Sequence, residues 1–132
     1  MATHASGTFD VKLTPQSDGK DADPTLGRML VDKQYHGDLE GTSKGQMLSS
    51  GDAKGSGVYV AIEKVSGTLH GRAGTFVLHH TGIMTRGTPQ LSVTVAPDSG
   101  TGQLAGLTGK MMINIAAGKH SYEFEYALPE AP

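Results

Sequence analysis

Along much of this 132-residue chain the apolar positions recur at every second residue, which is the spacing of a strand with one buried face. Thr8 to Leu13 alternates polar and apolar residues. Leu26 to His36 predicts a second strand, with Met29, Val31 and Tyr35 on one face. A third is expected from about Asp38 to Leu48, where Gly37 and Gly41 suggest a bend or a bulge. Val58 to Val65 is rich in β-branched residues and predicts the fourth. Thr75 to Met84 and Gln90 to Ala96 follow, the latter with Leu91, Val93 and Val95 on one side. The last pair is Lys110 to Ile115 and Lys119 to Leu128, joined by Ala116-Ala117-Gly118. In the final strand Glu123 and Glu125 alternate with Tyr122, Phe124 and Tyr126, so one face is core and the other meets water.

Between these runs lie Pro15 to Pro24, Ser49 to Gly57, Leu69 to Gly74 and Pro97 to Gly102, all rich in turn-forming residues. No segment predicts a helix. About eight strands with short connections imply an all-β fold, a closed antiparallel up-and-down barrel, because closure removes exposed sheet edges. The interior of such a barrel is either filled by side chains or holds one small ligand.

Composition sharpens this picture. Glycine accounts for 19 residues, about twice its usual share, and it suits turns and barrel corners far better than helix interiors. Residues 1–132 make one domain, and a globule of this size buries roughly two-thirds of its unfolded surface. Cysteine is absent, which excludes disulfides and thiolate chemistry and is compatible with a reducing compartment. Met1 to Thr8 lacks the pattern of a signal peptide, and no apolar stretch approaches the roughly 20 residues of a spanning helix. A cytoplasmic protein without a membrane partner is therefore expected. Eleven basic and 13 acidic residues, without a long charge run, argue against nucleic acid as a partner.

Candidate chemistry is sparse. His79 and His80 are adjacent, so on a strand they leave opposite faces, and the other four histidines show no chelating spacing. No metal and no cofactor are expected. The glycine-rich run Gly100 to Gly109 lacks the Gly-Lys-Ser/Thr ending and the following helix of a phosphate loop. The serines show no nucleophile-elbow pattern.

Glu63 and His80 are the polar candidates for catalysis. His80 shares strand parity with Phe76 and Leu78, and Glu63 with Tyr59 and Ala61. Val58, Val60 and Ile62 make the opposite face of the Glu63 strand equally apolar, a pattern that fits a cavity inside and an oligomer interface outside. With Tyr59 and Tyr122 as flanking phenols, Glu63 and His80 would line a ligand pocket offering a proton carrier, a carboxylate and hydroxyl donors. The plainer alternative makes His80 a hydrogen-bonded core residue and Glu63 a solvated rim residue.

Six segments then add a resemblance: Gly37-Asp38-Leu39-Glu40-Gly41, Tyr59 to Glu63, Gly67 to Arg72, Phe76 to His80, Asp98 to Gly102 and Tyr122-Glu123-Phe124. In this order, from Gly7 to Leu128, the chain resembles a family of short bacterial proteins classed as a domain of unknown function. That resemblance implies an allene oxide cyclase-like barrel, calycin- or lipocalin-like in appearance. The plant cyclases that name the fold act on a fatty-acid epoxide, usually as oligomers, but one fold hosts many activities. None of their catalytic residues maps onto this chain. Two functions are therefore expected side by side. One is a barrel that binds a small apolar molecule, with or without cofactor-free isomerase or cyclase activity. The other is a non-catalytic module that self-associates through the outer face of Val58 to Val65. A homo-oligomer, dimer or trimer, is expected in either case.

Overall fold

The computed structural model describes residues 2–16, 23, 25–51 and 54–129. Eight antiparallel strands follow one another around a closed barrel. They are β1 (Thr3–Pro15), β2 (Leu26–Gly37), β3 (Leu39–Gly51), β4 (Gly57–Leu69), β5 (Arg72–Thr85), β6 (Thr88–Val95), β7 (Thr108–Ala116) and β8 (Lys119–Ala127). β1 pairs with β8 from Thr3↔Tyr126 to Phe9↔His120 and completes the ring. The helical content among the described residues is one 3₁₀ turn, Gly102–Leu104.

Several strands outrun their apolar alternation, because ladder hydrogen bonds need no hydrophobic side chain. β1 begins five residues before the alternating run of Thr8 to Leu13 for this reason. Three two-residue hairpins, at His70-Gly71, Arg86-Gly87 and Ala117-Gly118, have positive φ at both positions. That backbone twist matches the right-handed twist of the flanking strands. Of the loop expected at Pro15 to Pro24, residues 17–22 and 24 lie outside the described residues, as do 52 and 53 of Ser49 to Gly57.

The chain bends at Gly37 and Asp38, between β2 and β3, but no bulge interrupts β3 at Gly41. β3 pairs with β4 in unbroken register from Leu39↔Leu69 to Gly51↔Gly57. Gly37 takes φ +109° at the end of β2. At Gly41 the neighbouring backbone comes so close that a Cβ would meet the Ser66 carbonyl oxygen at 2.3 Å.

The two ends of the barrel differ. At one end the interior is filled by Tyr35, Leu39, Val65, Leu69, Phe76 and Phe124, all buried, with the Phe76 and Phe124 rings stacked 5.8 Å apart. The segment between β6 and β7 packs Leu104 and Leu107 into this core and closes that end. Here the glycine-rich run Gly100 to Gly109 has its structural role. Toward the other end the interior is hollow. The seam between β6 and β7 is the least paired of the barrel, with the single register pair Thr94↔Lys110.

Parity on β4, ambiguous in the sequence, resolves cleanly. Tyr59, Ala61, Glu63 and Val65 share the inner face, and Val58, Val60 and Ile62 point outward, each more than half exposed.

Candidate binding site in the barrel interior

β3 separates β2 from β4, so the backbones of those two strands lie about two strand spacings, 9–10 Å, apart. Side chains from β2 and β4 can meet only if β3 raises nothing between them. Its inner face there carries Gly41, Ser43 and Gly45. Gly45 stands opposite Val31 on one side and Glu63 on the other. A Cβ at Gly45 would come within 2.9 Å of the Glu63 Cβ and 2.3 Å of the Ile62 carbonyl oxygen. The trough formed by these small residues lets Lys33 and Tyr35 of β2 reach across to Glu63 of β4.

What forms there is a buried, hydrogen-bonded cluster. Lys33 Nζ donates to Glu63 Oε2 at 2.7 Å. His80 Nε2, from β5, lies 2.7 Å from the same oxygen. The Tyr35 hydroxyl donates to Oε1. Lys33 also sits over the Phe9 ring, 4.8 Å from its centroid, in cation–π geometry.

Burial alone would raise the pKa of the Glu63 carboxyl. The hydrogen bond from His80, the charges of Lys33 and His80 and the hydrogen bond from Lys33 outweigh it and hold the group down at about 2. Glu63 is therefore a carboxylate at neutral pH. An ionised carboxylate can only accept, so His80 Nε2 carries a proton and donates it. Burial, and then the nearby Glu63 charge, push the Tyr35 hydroxyl far up, and the same two causes raise Tyr59.

Above this floor lies a chamber of about 180 Å³ with Val11, Val31, Met47, Ala61, Ile113 and Ile115 among its walls. Met47, Tyr59, Leu91 and Ile115 also line a wider mouth of about 500 Å³ at the open end. The Tyr59 ring lies against Gly82, its register partner on β5, where a Cβ would approach a ring carbon to 2.1 Å. Glycine at position 82 thus makes room for the phenol.

The structure brings three of the four sequence-predicted residues together: Glu63, His80 and Tyr59 all line the chamber. Glu63 is not a solvated rim residue, being only 2% exposed, while His80 is both buried and hydrogen-bonded. Tyr122 departs from its expected place. It points inward, as its parity required, but into the filled half, with its ring edge-on to Tyr35 at 5.7 Å. Its hydroxyl accepts from the Leu39 N–H at 2.9 Å and reaches the His36 carbonyl at 3.0 Å, tying down the β2–β3 turn. Inward parity says nothing about height along the barrel axis, and height separates Tyr122 from the chamber.

Lys33, Tyr35 and His120 were not singled out from the sequence as site residues. Lys33 sits at the parity of Val31 and Tyr35, and a lysine on an otherwise apolar face was the available signal. His79 points outward, with its ring bonded to Thr94. Among the described residues no group of three His, Asp or Glu side chains gathers to hold a metal ion.

No curated protein matches the chain. A crystal structure of a protein with unknown function from the DUF3224 family of Shewanella oneidensis MR-1 is similar to it, with 49% sequence identity and a TM-score of 0.92. That similarity covers 99% of this chain and 100% of the other. Residues 5–126 match the family described as a protein of unknown function (DUF3224), and the chain belongs to that family.

Proposed function

We propose that this barrel binds a small, largely apolar molecule in its interior, with the body of the ligand against the aliphatic walls and one end on the Lys33–Glu63–His80 floor. The observation that carries this reading is a fully buried charged cluster at the bottom of an apolar chamber that opens at the barrel mouth. A buried ion pair is weak as a stabilising device, since well-packed apolar residues of similar volume often serve as well or better. Charged groups perturbed by burial and by each other inside a cleft are instead the mark of a candidate functional site.

The allene oxide cyclase-like character of the barrel, taken from the sequence resemblance, supports extending this to cofactor-free isomerisation or cyclisation. In that extension the chamber holds the substrate in a reactive conformer. The step uses the neutral form of His80, with its proton on Nε2: Nδ1, which has no hydrogen-bond partner among the described residues, accepts a proton from one carbon of the substrate and returns it to another. Glu63 positions the imidazole by accepting from its other nitrogen.

The test is titration with medium-chain apolar compounds, paired with native mass spectrometry, on the wild type and on Ala61→Phe, whose ring would fill the chamber. Binding in the wild type and its loss in the variant is the expected result. Equal behaviour of the two proteins would reject an interior site.

A second reading, self-association as a dimer or trimer, is favoured by one observation. Leu48, Val58, Val60 and Ile62 form a continuous outward apolar patch, joined by the cross-strand pair Leu48↔Val60. The occupant in this reading is a second copy of the chain, in keeping with the oligomers of the cyclases it resembles.

A further inference from the structure

The hydrogen-bonding capacity left over in the chamber says what kind of molecule it would accept. This step rests on the interior-binding reading above. An ammonium has three N–H donors. Lys33 directs one to Glu63 and a second, long one at 3.5 Å to the Tyr35 oxygen, leaving a third. Tyr59 has no hydrogen-bond partner among the described residues, and it lines both chamber and mouth. Its proton is firmly held, since burial and the Glu63 charge both raise its pKa.

The acceptor side is nearly exhausted. A carboxylate offers about four acceptor positions. Glu63 fills three of them with Tyr35, Lys33 and His80, and only 2% of the residue is exposed. His80 Nδ1 and the His120 ring can each serve as donor or acceptor according to protonation. The one group facing the chamber that can only donate is therefore the spare N–H of Lys33, and the Tyr59 hydroxyl adds a firmly held proton beside it.

We infer that the ligand of this barrel is an amphiphile whose buried end is an oxygen acceptor, a carbonyl or a carboxylate, received by the spare N–H of Lys33 and the hydroxyl of Tyr59. Its apolar remainder points along the aliphatic walls toward the mouth. A donor-only head, such as an ammonium, would meet the Lys33 charge, leave the spare Lys33 N–H unpaired, and face a Glu63 carboxylate that is enclosed and three-quarters committed. Leaving a buried polar group unpaired is the penalty by which such sites discriminate.

A matched series separates the possibilities: 2-octanone, octanoate and octylammonium, titrated calorimetrically into the wild type, Tyr59→Phe and Ala61→Phe. The expected result is that the ketone, the carboxylate or both bind at least about tenfold tighter than the ammonium, on the scale of one to two hydrogen bonds. Tyr59→Phe should reduce that preference severalfold, and Ala61→Phe should abolish binding. Whichever oxygen head prevails tells a neutral carbonyl from an anion. Octylammonium binding as tightly as both oxygen compounds, in a manner lost in Ala61→Phe, would overturn the head-group assignment and leave interior binding intact. An unchanged preference in Tyr59→Phe would overturn the role of Tyr59. If none of the three compounds distinguishes the wild type from Ala61→Phe, the interior-binding reading itself fails.

Discussion

Lys33 and Glu63 stand thirty residues apart in the chain and on strands that do not pair with each other, yet Nζ and Oε2 lie 2.7 Å apart with both side chains enclosed. The contact spans β3, and it exists because Gly45 and Ser43 leave the inner face of that strand low. The candidate site is therefore a property of three strands acting together.

Acid should weaken the fold through this contact. Glu63 has its folded-state pKa lowered from an ordinary 4.5 to about 2. A depressed carboxyl contributes stability that is fully present above the unfolded value and is lost as pH falls through the folded one. The window is thus pH 4.5 down to 2, and the loss is on the order of 3 kcal/mol. Urea unfolding at a series of pH values should show this acid limb. Glu63→Gln should flatten it, and an unchanged limb in that variant would assign it to other carboxyls.

Truncating Glu63 is predicted to cost more than neutralising it. Glu63→Ala leaves the Lys33 ammonium buried without its carboxylate, a situation worth about 3–5 kcal/mol of destabilisation. The double variant Glu63→Ala, Lys33→Met should recover much of that loss, because no charge is then stranded. A double variant no more stable than Glu63→Ala would show that the pair is not energetically coupled.

Gly45→Ala tests the trough. Its Cβ would press on the backbone of Ile62 and on Glu63, and overpacking of this kind costs about 1–3 kcal/mol. The expected signature is a lower urea midpoint together with a shifted His80 imidazole resonance, since the partner of His80 is displaced. A stable variant with an unmoved His80 resonance would contradict the geometry.

Tyr122→Phe and Tyr59→Phe should behave as opposites. The first strands the Leu39 N–H at the β2–β3 turn and should lose about 1–3 kcal/mol of stability with ligand affinity unchanged. The second removes a hydroxyl without a partner among the described residues, so its stability should stay within about 0.5 kcal/mol while affinity falls. Melting curves and titrations on both variants check the contrast.

On the outer wall, Ile62→Lys places a charge in the apolar patch of β3 and β4. If the chain assembles through that patch, sedimentation should show oligomers for the wild type and a species of 13.7 kDa for the variant. A wild type that sediments at 13.7 kDa at every concentration would remove the self-association reading.

By itself the sequence determined the strands, their order and the all-β class, because period-two alternation and glycine-rich turns are local signals that survive without knowledge of partners. It also put His80 on the inner face through its parity with Phe76 and Leu78. It could not choose a face for Glu63, since β4 is apolar on both sides and parity alone has no sign. Closure of the barrel made that choice. Nor could alternation place a residue along the barrel axis, which is why Tyr122 lies in the packed half, tied to the backbone of Leu39, while Tyr59 borders the chamber. Lys33 entered the site through register, two strands from Glu63, across residues too small to leave a mark on a hydrophobic pattern. Pairing in three dimensions supplied what a one-dimensional period cannot carry: which residues stand at the same height, and which gaps lie open between them.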